Sequence, residues 1–259
     1  MNKSEKRSMP IDVHEGKSVF DRNGFAILES FISPDEVVDI TDHLDEYIKK
    51  TVPTLSANEV LYEDKNAPAT LFRLENMGKH DSYFNAILTS PRFMETAALY
   101  LEDEIDVGGM ELFAKAPRIG TPTPPHQDGY YFMRNPPVAM TFWIAIDRAD
   151  EDNGCLCYVK GSQRMAMRPH NMSNTLGFSQ GIIDYNEQDT TLEAKAVINP
   201  GDVIAHHCMV VNRTGANRTD RPRRALGCVY FGKSAKLDVE GQTAYRKVLF
   251  DKWEKEGKI

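Results

Sequence analysis

Between Val138 and Asp147 the chain alternates. Val138, Met140, Phe142, Ile144 and Ile146 interleave with Ala139, Thr141, Trp143, Ala145 and Asp147. A period of two places the first set on one face of an extended strand and the second on the other. Two further strands follow. Asn199-Pro200-Gly201-Asp202 is a turn leading into Val203-Ile204-Ala205, and Ala225 to Phe231 reads as a third β segment. Helical signals lie outside this middle. Ser33 is placed to cap, Pro34 suits a first helical position, and Glu36 completes a capping box. Val37, Ile40, Leu44, Tyr47 and Ile48 then recur at helical spacing until Pro53. A second helical region between His80 and Leu101 restarts at Ser90-Pro91, and Thr243 to Trp253 returns to helical spacing through Tyr245, Val248 and Leu249. Helices flanking a β-rich middle predict an α+β domain whose strands close into a sandwich or barrel.

The chain's 259 residues suit one large domain. The first dozen residues read as a frayed tail, and the expected organisation is a flexible tail over 1–18 followed by a single domain over 19–259. An apolar content of 41% excludes a disordered chain, and no apolar run is long enough for a membrane span. The net charge of −7 argues against a general nucleic-acid binder. Met1 to Asp12 has no apolar stretch of the kind a signal peptide needs. Cys155, Cys157, Cys208 and Cys228 are too few for a disulfide scaffold, so a cytoplasmic location is expected. The Cys155-x-Cys157 pair has no second pair to complete a zinc site and reads as buried apolar packing. Oligomeric state is not legible.

Pro124-Pro125-His126-Gln127-Asp128-Gly129 carries the first chemical signal. On a strand, residues two apart share a face, so the His126 imidazole and the Asp128 carboxylate can converge on one metal ion. Completed by one distant ligand, they make a facial triad with open positions, an arrangement suited to non-haem Fe(II) and oxygen chemistry. Taken alone, the tripeptide reads first as a surface turn with two polar side chains.

Downstream come Asp152-Asn153-Gly154-Cys155-Leu156, Lys160-Gly161-Ser162-Gln163, Gly201-Asp202-Val203-Ile204, Asn212-Arg213-Thr214-Gly215-Ala216-Asn217-Arg218-Thr219 and Pro222-Arg223-Arg224. With Phe20-Asp21-Arg22-Asn23-Gly24-Phe25 near the start, this ordered set resembles the phytanoyl-CoA dioxygenase family of Fe(II)/2-oxoglutarate-dependent oxygenases, over about Val19 to Gly232. The resemblance implies a double-stranded β-helix, a cupin-like jelly-roll barrel with helices packed outside. It implies Fe(II), 2-oxoglutarate and O2 as cofactor and cosubstrates. His126 and Asp128 match the first two iron ligands, and Arg223 matches the arginine that clamps the far carboxylate of 2-oxoglutarate. Thr214 matches a hydroxyl residue helping the same carboxylate, and Lys115 and Trp143 fall near the cosubstrate. Gly154 and Gly161-Ser162 match turn residues of the barrel. Gln163 departs from the family's Gly-Ser-His in a detail.

A larger departure stands at Asn212. The family places its third ligand, a histidine, eleven positions before the clamping arginine, where this chain has Asn212. An amide oxygen is a weaker donor than imidazole. Three readings stay open: a single replacement that impairs this copy while Asn212 occupies the ligand position, substitution of His206 or His207 from the preceding strand, or a barrel that binds a ligand or partner without catalysis. On the first reading, Asn212→His should strengthen Fe(II) binding and 2-oxoglutarate turnover.

The expected reaction is hydroxylation of a C–H bond in a small molecule, with no nucleic acid or membrane partner. Tyr130 and Tyr131, just after Asp128, are expected to wall the substrate pocket. Arg118 and Arg134, with Lys160, Arg164, Arg168 and His170, would border the mouth and steer an anionic substrate such as a carboxylate, phosphonate or acyl-CoA. The same residues read more simply as solvated surface charge. A cupin-like enzyme without a cosubstrate is a further alternative, opposed by Arg223, since a buried guanidinium needs an anionic partner.

Overall fold

A computed structural model describes residues 12–175 and 178–255. The chain opens with helix α1 (Val13–Asn23), capped by the Asp12 side chain, followed by strand β1 (Phe25–Leu28). The helix begins five residues before the expected end of the tail, because Phe20 buries its ring and draws the preceding turn against the body. Residues 1–11 lie outside the described residues. Helix α2 (Pro34–Lys50) starts as its sequence dictates: Ser33 accepts from the Glu36 backbone and the Glu36 carboxylate returns to Ser33 N–H. Strands β2 (Val60–Tyr62) and β3 (Leu71–Leu74) lead to three helices, α3 (Met77–His80), α4 (Ser82–Leu88) and α5 (Pro91–Leu101). The break before Pro91 falls where the sequence puts it.

The β-rich part follows. It comprises β4 (Ile105–Lys115), β5 (Thr123–His126), the short helix α6 (Asp128–Phe132), β6 (Arg134–Asn135), β7 (Ala139–Ala145) and β8 (Leu156–Val159). Then come β9 (His170–Thr175), β10 (Phe178–Ile182), helix α7 (Glu187–Leu192), β11 (Glu193–Ala196), β12 (Val203–His207) and β13 (Asn212–Thr214). Strand β14 (Arg223–Gly232), β15 (Lys236–Leu237) and helix α8 (Val239–Lys255) complete it. A seven-stranded antiparallel sheet runs β1-β12-β7-β14-β4-β3-β2, and a four-stranded sheet runs β11-β8-β13-β5. Together they form the jelly roll, with helices on the outer face of the larger sheet.

Strand β7 shows how the layers assemble. Every one of its residues is buried, unlike a strand with one wet face. Met140, Phe142 and Ile144 enter a core shared with Leu44, Phe84 and Phe93 of the helices. Trp143 and Ala145 turn the other way, into a second core with Leu156 and Tyr158 of the small sheet. The alternation read in the sequence therefore sorts residues between two cores. Each large side chain so buried contributes roughly 1.5–3 kcal/mol. Strand β12 divides alike: Val203 and Ala205 join the helix-side core and Ile204 the inter-sheet core. The turn before it holds Gly201 at a φ of +89°, where a Cβ would lie 2.5 Å from the Ile32 carbonyl, so glycine is required. No helix among the described residues is long and apolar enough to cross a membrane.

Candidate active site

The two sheets enclose a cavity of about 460 Å³. His126 ends β5 and Asp128 opens α6, so the pair straddles a strand end rather than sharing one strand. Gln127 between them is wholly buried. Its amide donates to the Met209 carbonyl and accepts from Arg168 N–H, which pins the corner and lets both neighbours point inward. The His126 Nε2 lies 3.3 Å from Asp128 Oδ1, and His126 Nδ1 donates to the Pro124 carbonyl at 2.8 Å. That bond commits Nδ1, so Nε2 is the nitrogen that faces the carboxylate and would serve a cation.

Asn212 opens β13 directly opposite His126 in the ladder with β5. Its Nδ2 donates to Asp128 Oδ1 at 3.1 Å. The other carboxylate oxygen, Oδ2, lies 3.0 Å from Nε2 of His206, whose Nδ1 meets the Tyr158 hydroxyl at 2.9 Å. Burial opposes the charged form of Asp128, yet hydrogen bonds from His126 and His206 hold it well below the usual carboxylate range. Tyr158 is fully buried and its phenol is pushed well above its ordinary value.

His207 goes elsewhere. Strand parity sends it to the opposite face, where its ring centroid is 6.0 Å from that of Phe20 and its Nδ1 accepts from Met209 N–H. Burial and its neighbour His206 lower its pKa to about 4. The alternative in which His207 ligates metal therefore meets a side chain on the helix side of the sheet.

Four residues expected near the cosubstrate, Lys115, Trp143, Thr214 and Arg223, line the same cavity. The Arg223 guanidinium is buried, and its carbon lies 5.1 Å from the Trp143 ring centroid. One nitrogen donates to the Phe113 carbonyl at 3.2 Å, while Nε has no hydrogen-bond partner. Burial lowers its pKa to about 10. Lys115 donates to the Thr121 carbonyl, and burial together with repulsion from Arg223 lowers its pKa to about 7. Thr214 accepts from Thr123 N–H at 3.2 Å. Asn217 braces the loop before Arg223, donating to the carbonyls of Lys115 and Arg221. A buried cation with an orphaned N–H demands an anion, and a dicarboxylate fits that demand.

The expected substrate residues divide. Tyr131 lines the cavity, with its hydroxyl on the Gln180 carbonyl at 2.7 Å. Tyr130 stacks instead on His170, centroids 4.3 Å apart, and is not in the wall. Arg118 is exposed and paired with Asp220 at 2.7 Å. Arg134 lies on the Phe231 ring and donates to the Ala235 carbonyl, while Arg168 is committed to Asp184 and Asp189. The basic rim read from the sequence is thus dispersed, because each arginine found a nearer partner. The half-buried wall is instead supplied by Glu59, Glu63, Arg73, Glu75 and Glu111, and by Tyr245, Leu249 and Phe250 of α8. Arg73 binds Glu111 at 2.8 Å and Glu75 at 3.4 Å. None of these carboxylates carries a motif; they come from segments whose meeting only the fold reveals.

The family model for phytanoyl-CoA dioxygenase (PhyH) matches residues 20–225. The chain belongs to the phytanoyl-CoA dioxygenase family. Family members are dioxygenases dependent on Fe(II) and 2-oxoglutarate. The chain is 23% identical to the peroxisomal phytanoyl-CoA dioxygenase of Rattus norvegicus over 242 residues, 88% of this chain and 71% of that protein. It is 25% identical to a probable alpha-ketoglutarate-dependent hypophosphite dioxygenase of Stutzerimonas stutzeri, over 85% of this chain and 83% of that one. Among solved structures, EctD from S. alaskensis with 2-oxoglutarate and 5-hydroxyectoine superposes with a TM-score of 0.72 at 19% identity, covering 90% and 80% of the two chains. The epimerase SnoN in complex with Fe3+, alpha ketoglutarate and nogalamycin RO gives 0.70 at 18% identity, covering 87% and 85%. These likenesses establish the jelly roll of the phytanoyl-CoA dioxygenase family as this chain's fold.

Proposed function

We propose that this protein hydroxylates a C–H bond of a small polar substrate, using Fe(II) and 2-oxoglutarate in the cavity between the sheets. The observation that carries the reading is Arg223, a buried guanidinium with an unpartnered Nε in the same cavity as the His126–Asp128 pair. When bound, iron and 2-oxoglutarate supply the oxidising chemistry, the keto acid being decarboxylated to succinate as O2 is consumed. His126 and Asp128 would hold the metal. Arg223 takes the far carboxylate of the cosubstrate through parallel N–H donors, with Thr214 and Lys115 beside it. Trp143 covers the guanidinium and keeps water from it.

The cavity wall also supports a substrate class. Arg223 and Lys115 would face the far carboxylate of the cosubstrate, and the ion held by His126 and Asp128 would face the other. The rest of the wall then carries Glu59, Glu63, Glu75 and Glu111 against Arg73. That acidic excess disfavours phosphonates and acyl-CoA thioesters and favours a neutral or cationic molecule, such as an amine or polyol. A screen of succinate formation over amines, polyols, carboxylates and phosphonates, under Fe(II) and O2, tests both parts. Stimulation by amines or polyols is expected. Failure of 2-oxoglutarate to bind in an Arg223-dependent way would refute the oxygenase reading, and stimulation by dianions alone would refute the substrate class.

A further inference from the structure

We propose that His206 supplies the third metal-ligating group of this chain and that Asn212 positions Asp128 without touching the metal. The inference rests on the oxygenase reading only in taking the cavity to hold a divalent ion. It begins with strand parity. β12 pairs with β7 so that His206 faces Thr141, and its inward neighbour Ile204 faces Trp143. His206 therefore emerges from the large sheet into the space that His126 enters from the small one. It is buried, and its Nε2 stands 3.0 Å from Asp128 Oδ2.

The spacing has chemical content. An ion held at about 2.1 Å by imidazole and carboxylate keeps adjacent donors of an octahedral set about 3.0 Å apart. His206 Nε2 stands 3.0 Å from Asp128 Oδ2 and His126 Nε2 stands 3.3 Å from Asp128 Oδ1, so both imidazoles reach the one carboxylate at a separation that neighbouring ligands also take. Among the described residues no three His, Cys, Asp or Glu side chains form a ready cage. Asp128 instead bridges the two imidazoles, one oxygen to each, and must turn a single oxygen inward as an ion enters.

The surroundings of each ring agree. A ligating histidine normally commits its second nitrogen to a fixed partner. His126 Nδ1 is committed to the Pro124 carbonyl and His206 Nδ1 to the Tyr158 hydroxyl. A phenol both donates and accepts, so Tyr158 serves the imidazole whether its proton sits on Nδ1 or Nε2. Asn212 has the opposite polarity. Its amide nitrogen, which has no lone pair to give, faces Asp128 Oδ1 at 3.1 Å. Flipping the amide would set its carbonyl oxygen against a carboxylate oxygen, two acceptors with no proton between them. Asn212 thus acts through Asp128.

The test uses Co(II) as probe, titrated into metal-free full-length protein, with X-ray absorption of the loaded protein to count imidazoles. Two imidazoles are expected in the parent protein and in Asn212→Ala, and one in His206→Ala. The affinity of His206→Ala should fall more than about 100-fold, beyond the roughly 10–100-fold typical of losing a group behind a ligand, whereas Asn212→Ala should stay within that range. Adding Asn212→His to His206→Ala should recover most of the loss, but Asn212→His alone should gain no more than a few-fold, since the position it would fill is already served. One imidazole in the parent protein, two in His206→Ala, or a gain of 100-fold from Asn212→His alone would overturn the proposal. Thermal stabilisation of His206→Ala by 2-oxoglutarate reports that its fold and Arg223 pocket are intact. If 2-oxoglutarate fails to stabilise even the parent protein while two imidazoles bind Co(II), the oxygenase reading fails and the ligand assignment stands.

Discussion

Arg223 presents its guanidinium to the face of Trp143 at 5.1 Å, with Nε left without an acceptor in the barrel interior. A buried cation in this state costs the ligand-free fold stability and is relieved when an anion arrives. The first prediction follows. Arg223→Met should raise the melting temperature of the ligand-free protein by a few degrees, at about 2–4 °C per kcal/mol for a chain of this size. The same substitution should weaken 2-oxoglutarate binding by about 100-fold or more, in line with the 2–5 kcal/mol lost when one partner of a buried charge pair is truncated. Calorimetric titration and a thermal melt check the two arms. A fall in ligand-free stability would contradict the account.

Lys115 gives the second. Its pKa of about 7, set by burial and by Arg223, leaves it partly neutral near pH 7. A dicarboxylate bound beside it favours the protonated amine, so the complex takes up a proton that the free protein lacks above pH 7. Affinity for 2-oxoglutarate should therefore rise as pH falls from about 8.5 towards 7 and level off below it, by at most tenfold per pH unit for one linked proton. Lys115→Met should flatten that dependence. Binding isotherms across the range, without added metal, decide it; an equally steep profile in Lys115→Met would remove Lys115 from the cosubstrate site.

Gly154 sits at a φ of +84°, and a Cβ there would come within 2.5 Å of the Gly215 carbonyl and 2.9 Å of the Lys115 side chain. Gly154→Ala should lose about 1–3 kcal/mol of stability from the left-handed backbone, with the backbone clash adding to it. Denaturant unfolding measures the loss. A loss smaller than about 0.5 kcal/mol would show that the turn relaxes freely.

The capping box of α2 is a fourth case. Ser33→Ala removes the acceptor for Glu36 N–H at 3.3 Å and should lower stability by about 1 kcal/mol. Activity should be untouched, since α2 packs on the outer face of the large sheet. A melt read alongside 2-oxoglutarate turnover separates the two effects.

Local chemistry was legible wherever it was written in adjacent residues. The Ser33–Glu36 cap, the break at Pro91 and the alternation of β7 all appear in the structure because each depends on near neighbours. Lys115, Trp143, Thr214 and Arg223 reached one cavity through family register rather than through any local pattern. What the sequence did not disclose is direction. Val203-Ile204-Ala205-His206-His207 states that the two histidines point to opposite sides, but which side is interior depends on Trp143 and Tyr158 meeting across the sheets. His206 and His207 were alternatives to Asn212 as third ligand, and parity gave the inward position to His206. The arginines at 118 and 134 erred for a related reason: their partners Asp220 and the Ala235 carbonyl lie about a hundred residues away. The glutamate wall was invisible because its members are scattered, with Glu59 just before β2, Glu63 just after it, Glu75 just after β3 and Glu111 within β4.

Helix α8 brings Gln242, Tyr245, Leu249 and Phe250 to the cavity from a stretch of chain that begins after every proposed metal and cosubstrate residue has been laid down. On the proposed reading, α8 adds the Tyr245, Leu249 and Phe250 part of the wall separately from the residues that would hold metal and cosubstrate. Exchanging the residues of α8 between relatives offers a way to redirect selectivity while His126, Asp128 and Arg223 keep their places.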